Sequence, residues 1–274
     1  MKILYIAEIV GKAGIYCVKN TLPALKKETG ADAVIVCADA ATNGSGLGRH
    51  HAAYLRKLGV NIITLGDQCF FKKDLVECMP SISYVLRPFN LNKEAPGIGA
   101  KVFTIQSANR APQKLAVAVL LGQAHFVKIH ADNPFACMPA LLEKLRAETP
   151  FIVLDFHAIA SAEKKTLFAM ADGLCSAVIG SHTRVVTADA AVLPGGTAVI
   201  TDAGRTGSQF SVGGNNAQAR IQEYLSGIPD WTKEAWDGLE TQGVLIDIAE
   251  DGTAGSITLV KARPPQIPAG PHAE

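Results

Sequence analysis

Five residues able to do acid–base or metal chemistry each close an apolar, strand-like run. MKILYIAE ends at Glu8, DAVIVCAD at Asp39, NIITLGD at Asp67, FIVLDFH at His157 and SAVIGSH at His182. An apolar run that stops abruptly at a histidine or carboxylate describes a buried strand delivering a side chain to the carboxyl edge of a sheet, where ligands sit in open α/β folds. Imidazoles and carboxylates converging from separate strands suit zinc or a transition metal. Two such ions bridged by a carboxylate can clamp a phosphate and activate water. Each residue alone says little, because a single Asp at a strand end is more often a cap and a single His more often a satisfied polar group. Their recurrence at five strand ends is the signal for a site, although the spacing carries no fixed metal signature.

The elements that must position these residues are legible as short β-loop-α units. Lys2 to Ala7, Asp32 to Ala38 and Asn61 to Leu65 read as strands covered on both faces. Helices are predicted over Ile15 to Glu28, His50 to Leu58 and Lys72 to Met79, the second stopped by Gly59. This alternation favours a largely parallel sheet. Tyr84 to Leu86, Val102 to Ile105 and Leu115 to Leu121 read as strands without helices between them. Their connections, Asn92 to Gly99 and Gln106 to Gln113, are loops, so this stretch is expected to carry the chain from one sheet to another. A helix over Pro134 to Glu148, with Asp132 or Asn133 as cap and Pro134 at its first position, follows. Then come a strand to Asp155, a helix over Ala162 to Ala171, strands at Ala177 to Ile179 and Thr197 to Thr201, and a helix near Ala217 to Leu225. Val244 to Ile248 and Ser256 to Val260 flank the turn Glu250-Asp251-Gly252 as a hairpin.

Bulk properties exclude several classes. The 274 residues are 48% hydrophobic and 19% charged, which excludes a disordered chain. A net charge of +1 gives no electrostatic basis for binding nucleic acid or a membrane surface. The first apolar run is broken by Glu8 and followed by a glycine turn, unlike a secretory signal, and no run is long enough to span a bilayer. The six cysteines are scattered without a CxxC, so free thiols in a reducing cytoplasm are expected.

Local motifs add a more specific expectation. The opening KILYIAEIVGKAG, then ADAATNGSGL, LGDQCFFKKD, RPFN, FHAIASAEK, GSHTRVVTAD, LPGGTAVITDAG and RTG run in register from about residue 2 to 262. Together they resemble the YmdB-like branch of the calcineurin-like metallophosphoesterases. The resemblance implies a single α/β domain over 1–262, a four-layer αββα sandwich with a di-metal site at one edge, followed by a Pro-rich tail over 263–274. It also implies phosphodiesterase activity on cyclic nucleotides, including 2',3'-cyclic ones, and assembly as a homo-oligomer.

The chain departs from that pattern at the metal positions. The family has Asp where this chain has Glu8, Glu-Asn at Asp39-Ala40, Asn-His at Asp67-Gln68, and His-x-His at His182-Thr183-Arg184. Ala40 offers no ligand atom. Gln68 stands where the family has an imidazole able to protonate a leaving oxygen, and an amide has no useful pKa for that. Arg184 puts a permanent cation where the family has a ligand. The expected metal residues are therefore Asp39, Asp67, His157, His182 and Glu8. They are expected to hold at most one divalent ion (Fe, Mn or Zn), or none if they form only a hydrogen-bonded polar cluster. Arg184 is expected in the second seat, paired with Glu8 or Asp39.

Three functions follow. The first is a weakly active or inactive protein that binds a partner or acts as a scaffold, with no catalytic residue assigned. The alternative is an active phosphodiesterase or phosphatase on cyclic nucleotides using one or two metals, with Arg184 clamping the phosphate. A sensor that binds a nucleotide or phosphate without hydrolysis is a third. Outside this constellation, His50 and His51 read as a surface pair at a helix start, and His125 and His130 as loop residues within reach of the site. NGSGLG and SVGGNN lack the phosphate-loop Lys and the dinucleotide fingerprint and read as turns. Trp231 and Trp236 read as packing residues or a partner surface.

Overall fold

The computed structural model describes residues 1–106, 111–229 and 233–265. In chain order the elements are β1 (Lys2–Ile6), β2 (Glu8–Ile9), α1 (Gly11–Thr29), β3 (Ala33–Cys37), α2 (Arg49–Lys57), β4 (Ile62–Thr64), α3 (Lys73–Cys78) and β5 (Val85–Leu86). There follow β6 (Ala100–Ile105), β7 (Gln113–Leu121), α4 (Pro134–Arg146), β8 (Ile152–His157), α5 (Ser161–Ala171), β9 (Ala177–Ser181), β10 (Ala191–Val192) and β11 (Ala198–Ile200). The chain continues through β12 (Arg205–Ser208), α6 (Ala217–Ser226), β13 (Leu239–Ile248) and β14 (Ala254–Ala262).

The strands form two sheets. The first runs β2-β12-β13-β1-β3-β4-β5, with β14 added on β13; the second runs β10-β11-β9-β8-β7-β6. Alternation along the buried strands assigns the layers. Ala33, Ile35 and Cys37 of β3 pack between the sheets, with Leu115, Val117 and Val119 of β7 from the other side. The intervening Val34 and Val36 face Ile15, Val18 and Leu22 of α1. Ala116, Ala118 and Leu120 face Met138, Leu141 and Leu142 of α4 and Leu167 and Phe168 of α5. Helix, sheet, sheet, helix is thus the order across the molecule, the αββα sandwich that the family resemblance implied, because a strand with apolar residues on both faces needs cover on both.

Strand direction positions the site. β1, β3, β4 and β5 are parallel in the first sheet, and β7, β8, β9 and β11 in the second. The carboxyl ends of β3, β4, β8 and β9 therefore share an edge, and Asp39, Asp67, His157 and His182 lie at or just beyond those ends. The transfer between sheets falls where the helix-free stretch suggested: β5 belongs to the first sheet, and β6 pairs antiparallel with β7 in the second.

Several features differ from the sequence reading. α1 begins at Gly11, not Ile15, with no side-chain cap from its neighbour Val10. Its cap comes from far away, since the Glu234 carboxylate accepts from the Lys12 N–H. β2, β10 and β12 are strands of two to four residues that no periodicity reveals. Residues 107–110 of the loop Gln106 to Gln113, Trp231, and 266–274 of the tail lie outside the described residues. Trp236 packs its ring against Tyr16 at 6.0 Å. Among the described residues no helix is long and apolar enough to cross a membrane.

One polar group interrupts the core between the sheets. Asp155 of β8 is buried, and three hydroxyls surround its carboxylate. Tyr5 of β1 donates to Oδ2 at 2.7 Å, Thr64 of β4 donates to the same oxygen, and Ser181 of β9 donates to Oδ1 at 2.7 Å. Burial pushes the Asp155 pKa up, and the charge on His157 and these hydroxyls act against that rise. Tyr5 and Thr64 belong to the first sheet and Asp155 and Ser181 to the second, so this knot fixes the two sheets against each other. Tyr5→Phe removes one donor while keeping the ring. It is expected to lower unfolding free energy by about 1–3 kcal/mol in urea titrations. No change would mean that the knot does not tie the sheets.

Candidate metal centre

The sheet edge brings three ligand atoms into a triangle. His157 Nε2 lies 2.9 Å from Asp67 Oδ1 and 3.0 Å from His182 Nδ1, and His182 Nδ1 lies 3.3 Å from Asp67 Oδ1. Adjacent ligand atoms around an ion bound at about 2.1 Å are spaced at about 3 Å, so the residues present fit a divalent transition ion with two nitrogens and an oxygen. The bare backbone of Gly66 makes room for this. A Cβ there would lie 2.2 Å from His157 Nε2.

His157 is aimed by its other nitrogen. Its Nδ1 is 2.9 Å from Ser181 Oγ, and that hydroxyl spends its own proton on Asp155. Ser181 can therefore only accept from the ring, so Nδ1 carries a proton and Nε2 is the atom presented to the site. The core knot beneath the site thus sets the ring's orientation.

Asp39 sits behind the triangle, fully buried. Its Oδ1 accepts from the Gly66 N–H at 2.7 Å and its Oδ2 from the Gln68 N–H at 3.0 Å, with His157 Nε2 at 3.7 Å from Oδ2. Gln68 is tethered in turn, its Oε1 accepting from the Gly46 N–H at 3.1 Å. Ala40 is buried and takes part through its backbone, bridging Val10 in parallel and accepting from the Gly11 N–H at 2.9 Å.

Glu8 and Arg184 form the other half. Arg184 Nε donates to Glu8 Oε1 at 2.9 Å, and the Nη2 nitrogen lies 2.8 Å from the same oxygen. Arg184 Nη1 donates to the Gly213 carbonyl at 3.1 Å. Of the two pairings left open by the sequence, the guanidinium takes Glu8. The second carboxylate oxygen, Glu8 Oε2, is buried without a hydrogen-bond partner, a state that costs free energy unless a donor or cation reaches it. A second group of potential ligand atoms, Glu8, Cys37 and His157, lies within 4.8 Å here. Burial pushes the Cys37 thiol well above its ordinary value, so it stays protonated and makes a poor ligand.

The loop carrying His182 and Arg184 is strained and tightly held. Both residues adopt positive φ, 99° and 60°, conformations that non-glycine residues avoid. A buried lysine, Lys164 of α5, donates to the Ser181 carbonyl at 2.9 Å and to Asp202 Oδ2 at 3.2 Å. Asp202 Oδ2 also accepts from the Thr183 N–H at 2.8 Å, and Arg205 Nη1 donates to the Arg184 carbonyl at 2.8 Å. Lys164, Asp202 and Arg205 were not among the sequence candidates. The one hint was the strand ending in Asp202-Ala203-Gly204, which has the same form as the ends at Asp39 and Asp67.

Charge explains the arrangement. Glu8 and Asp39 are buried and Asp67, partly exposed, lies close enough for its charge to act on Asp39. Burial and then the charges of Asp67 and Glu8 raise Asp39 to about 7, with His157 opposing. Burial would lower His157, but its hydrogen bond to Asp67 and the charge of Asp39 win and raise it to about 9. Burial likewise works against a charged Asp67, and bonds to His157 and His182 outweigh it and hold its pKa well below the usual range. The cluster therefore demands positive charge, and Arg184 and protonated His157 supply it in the metal-free chain.

The remaining histidines divide. His51 Nδ1 bonds Thr42 Oγ1 at 2.7 Å and is half-buried, so of the expected surface pair only His50 is a plain surface residue. His125 lines a pocket beside Asp67 and His182. His130 is exposed, and no contact ties it to the site.

Known proteins resemble this chain along nearly its whole length. Residues 4–260 match the family model described as YmdB-like protein. The chain is 34% identical over 259 residues to the 2',3'-cyclic-nucleotide 2'-phosphodiesterase of Bacillus subtilis (strain 168), covering 94% of this chain and 95% of that one. A crystal structure of a novel phosphatase from Mycoplasma pneumoniae superposes with a TM-score of 0.88 at 30% identity, covering 96% of this chain and 93% of that one. The calcineurin-like phosphoesterase YfkN from Bacillus subtilis shares the fold, with a TM-score of 0.57 at 10% identity over 96% and 90% of the two chains.

The raised His157 pKa fixes a pH dependence. Its imidazolium stabilises the metal-free chain fully below 6.5, its ordinary value, and this is lost as pH rises through about 9. Chain dialysed against chelator is expected to show a urea midpoint that falls between those limits, and His157→Gln is expected to flatten the fall. A wild-type midpoint that holds or rises across that window would contradict the assignment.

Proposed function

The chain belongs to the YmdB-like family, and from that premise we propose that it is a metal-dependent phosphoesterase acting on phosphodiesters, with 2',3'-cyclic nucleotides as the substrate class, through a single divalent ion. The observation that carries this reading is the pairing of an intact Asp67–His157–His182 triangle with an arginine fastened to Glu8. Asp67, His157 and His182 would hold the ion, with Asp39 behind them. Fe, Mn and Zn all suit two imidazoles and carboxylate oxygens. Such an ion would polarise a phosphoryl oxygen and lower the pKa of a bound water.

The residues of this chain divide the remaining work. Arg184 uses three of its five N–H donors on Glu8 and Gly213, which leaves two for a phosphoryl oxygen. Its fixed position, held through Glu8 and Arg205, makes it a clamp that need not reorganise when the substrate binds. Gln68, its oxygen committed to Gly46, keeps its amide N–H groups to donate to a leaving oxygen. It cannot give up a proton, so turnover is expected to be slow.

Gln68 and Arg184 are also what favours the non-catalytic binding or scaffold reading. The related phosphodiesterase and phosphatase weigh against it. Hydrolysis of a 2',3'-cyclic nucleotide by the full chain with Mn or Fe separates the two. We expect turnover that Asp39→Asn lowers by about a hundredfold; metal binding with no turnover above background would leave the scaffold reading.

Metal content tests the single-ion claim. Purified chain is expected to bind one ion tightly, and two tightly held ions would refute it. Arg184→Ala leaves Glu8 an uncompensated buried charge and is expected to cost about 3–5 kcal/mol of stability without metal. Excess Mn is expected to restore that stability with a second ion bound. A variant that stays as stable as wild type, or that gains no ion, would show that Arg184 does not fill a metal seat.

A further inference from the structure

The loop over 122–133 and the segment after Asp67 leave a pocket that the chemistry at the metal centre does not use. Its volume is about 220 Å³, and Asp67 and His182 form part of its lining. The rest of the wall is largely apolar: Phe71, Phe126, Val127, Ile129 and Ile159. Two of these are apolar residues left in the open, Phe71 at 49% exposure and Val127 at 82%. Large apolar side chains grouped in this way beside a polar centre mark a binding surface.

The aromatic groups are held in place. Phe126 lies 6.2 Å from the His157 ring, nearly parallel to it, and 5.2 Å from His182, edge to face. Phe71 packs against a glycine: a Cβ on Gly46 would meet Phe71 Cβ at 3.0 Å, and Gly46 is the residue whose N–H tethers Gln68. His125, next to Phe126, takes a φ of 66°, a strained conformation of the kind that clusters at ligand sites. His125 and Lys128 supply polar groups at the same pocket.

We propose that this pocket is a nucleobase subsite in which the base stacks on Phe71, with Val127 and Phe126 closing around it. The inference rests on the proposed phosphoesterase reading, because it takes the phosphoryl group to lie at the Asp67–His157–His182 triangle. The pocket shares Asp67 and His182 with that triangle, so the organic group of a phosphoester bound there enters it directly. A single planar ring system suits a short aromatic-walled cavity of this size. An acyl chain would need a longer channel, and a bare phosphate would leave the apolar wall wet. Sequence tolerance is expected, since every base has a face to stack.

Calorimetry of the full chain with Mn present tests this, using adenosine 3'-monophosphate, ribose 5-phosphate and inorganic phosphate as probes. The nucleotide is expected to bind about 5- to 100-fold more tightly than ribose phosphate. Phe71→Ala is expected to erase most of that advantage while leaving ribose phosphate and inorganic phosphate unchanged, and Phe71→Trp is expected to keep it. Phe71 is half exposed, so the variants should fold, and circular dichroism checks this. Equal affinity for nucleotide and ribose phosphate, no binding of either, or an equal loss for all three probes in Phe71→Ala would overturn the subsite. Base-selective binding without hydrolysis would keep the subsite and sink the phosphoesterase reading. Hydrolysis of simple alkyl diesters with no preference for a base would do the reverse.

Discussion

Three neighbouring carboxylates, two of them buried, cannot all stay charged unless positive charge lies among them, and much of the sheet edge answers that constraint. Glu8, Asp39 and Asp67 come from three strand ends of the first sheet. In water their repulsion would be weak; in a dry pocket each would face neutralisation by a proton. Arg184 and His157 are the compensating groups. They differ in kind, because the guanidinium is permanent whereas the imidazolium can release its proton to solvent and offer the freed nitrogen to a metal ion. The half of the site built on His157 is therefore exchangeable, and the half built on Arg184 is fixed.

Fixing that cation required more than one contact. The turn through His182 and Arg184 is locally unfavourable, with two non-glycine residues at positive φ, a strain of about 1–3 kcal/mol for each. Lys164, Asp202 and Arg205 hold its backbone, and all three are largely withdrawn from solvent. The knot at Asp155 does the same for His157 from below. In both places buried polar groups are retained where they orient something, and breaking either would leave an unpaired group in the core. The link from core to site runs through Ser181. Its hydroxyl joins Asp155 to His157, and its carbonyl accepts from Lys164.

The sequence made some of this legible and hid the rest for physical reasons. The β3 and β8 strands were clear because buried parallel strands are apolar without interruption, and Asp39, Asp67, His157 and His182 were clear because they end such runs. A cation at Arg184 close to the site was legible in the sequence, and its choice of Glu8 over Asp39 was not, since that depends on the turn's strained backbone. Lys164 was hidden near the start of α5 between Glu163 and Lys165, where a lysine reads as solvated. Glu234, which caps α1 from 222 positions away, and the short strands β2 and β12 were hidden because their partners are distant and their length gives no period. The pocket over Phe71 and Phe126 was hidden for a further reason: apolar residues in a loop look like core until the fold leaves them at the surface.

On the proposed reading, a guanidinium fixed beside the triangle would change how a substrate is selected. An ion can be approached from several directions and exchanges its ligands, whereas a guanidinium anchored through Glu8 and Gly213 offers its remaining N–H groups along set directions. A phosphoryl group held between it and the triangle would have little freedom to turn. The organic group would then be directed to one side, and the side that shares Asp67 and His182 is the apolar pocket. Catalytic force lost with one ion would thus be traded for orientation. A centre of this kind would favour a small set of phosphoesters whose organic part fits that wall over fast hydrolysis of any phosphoester that reaches it.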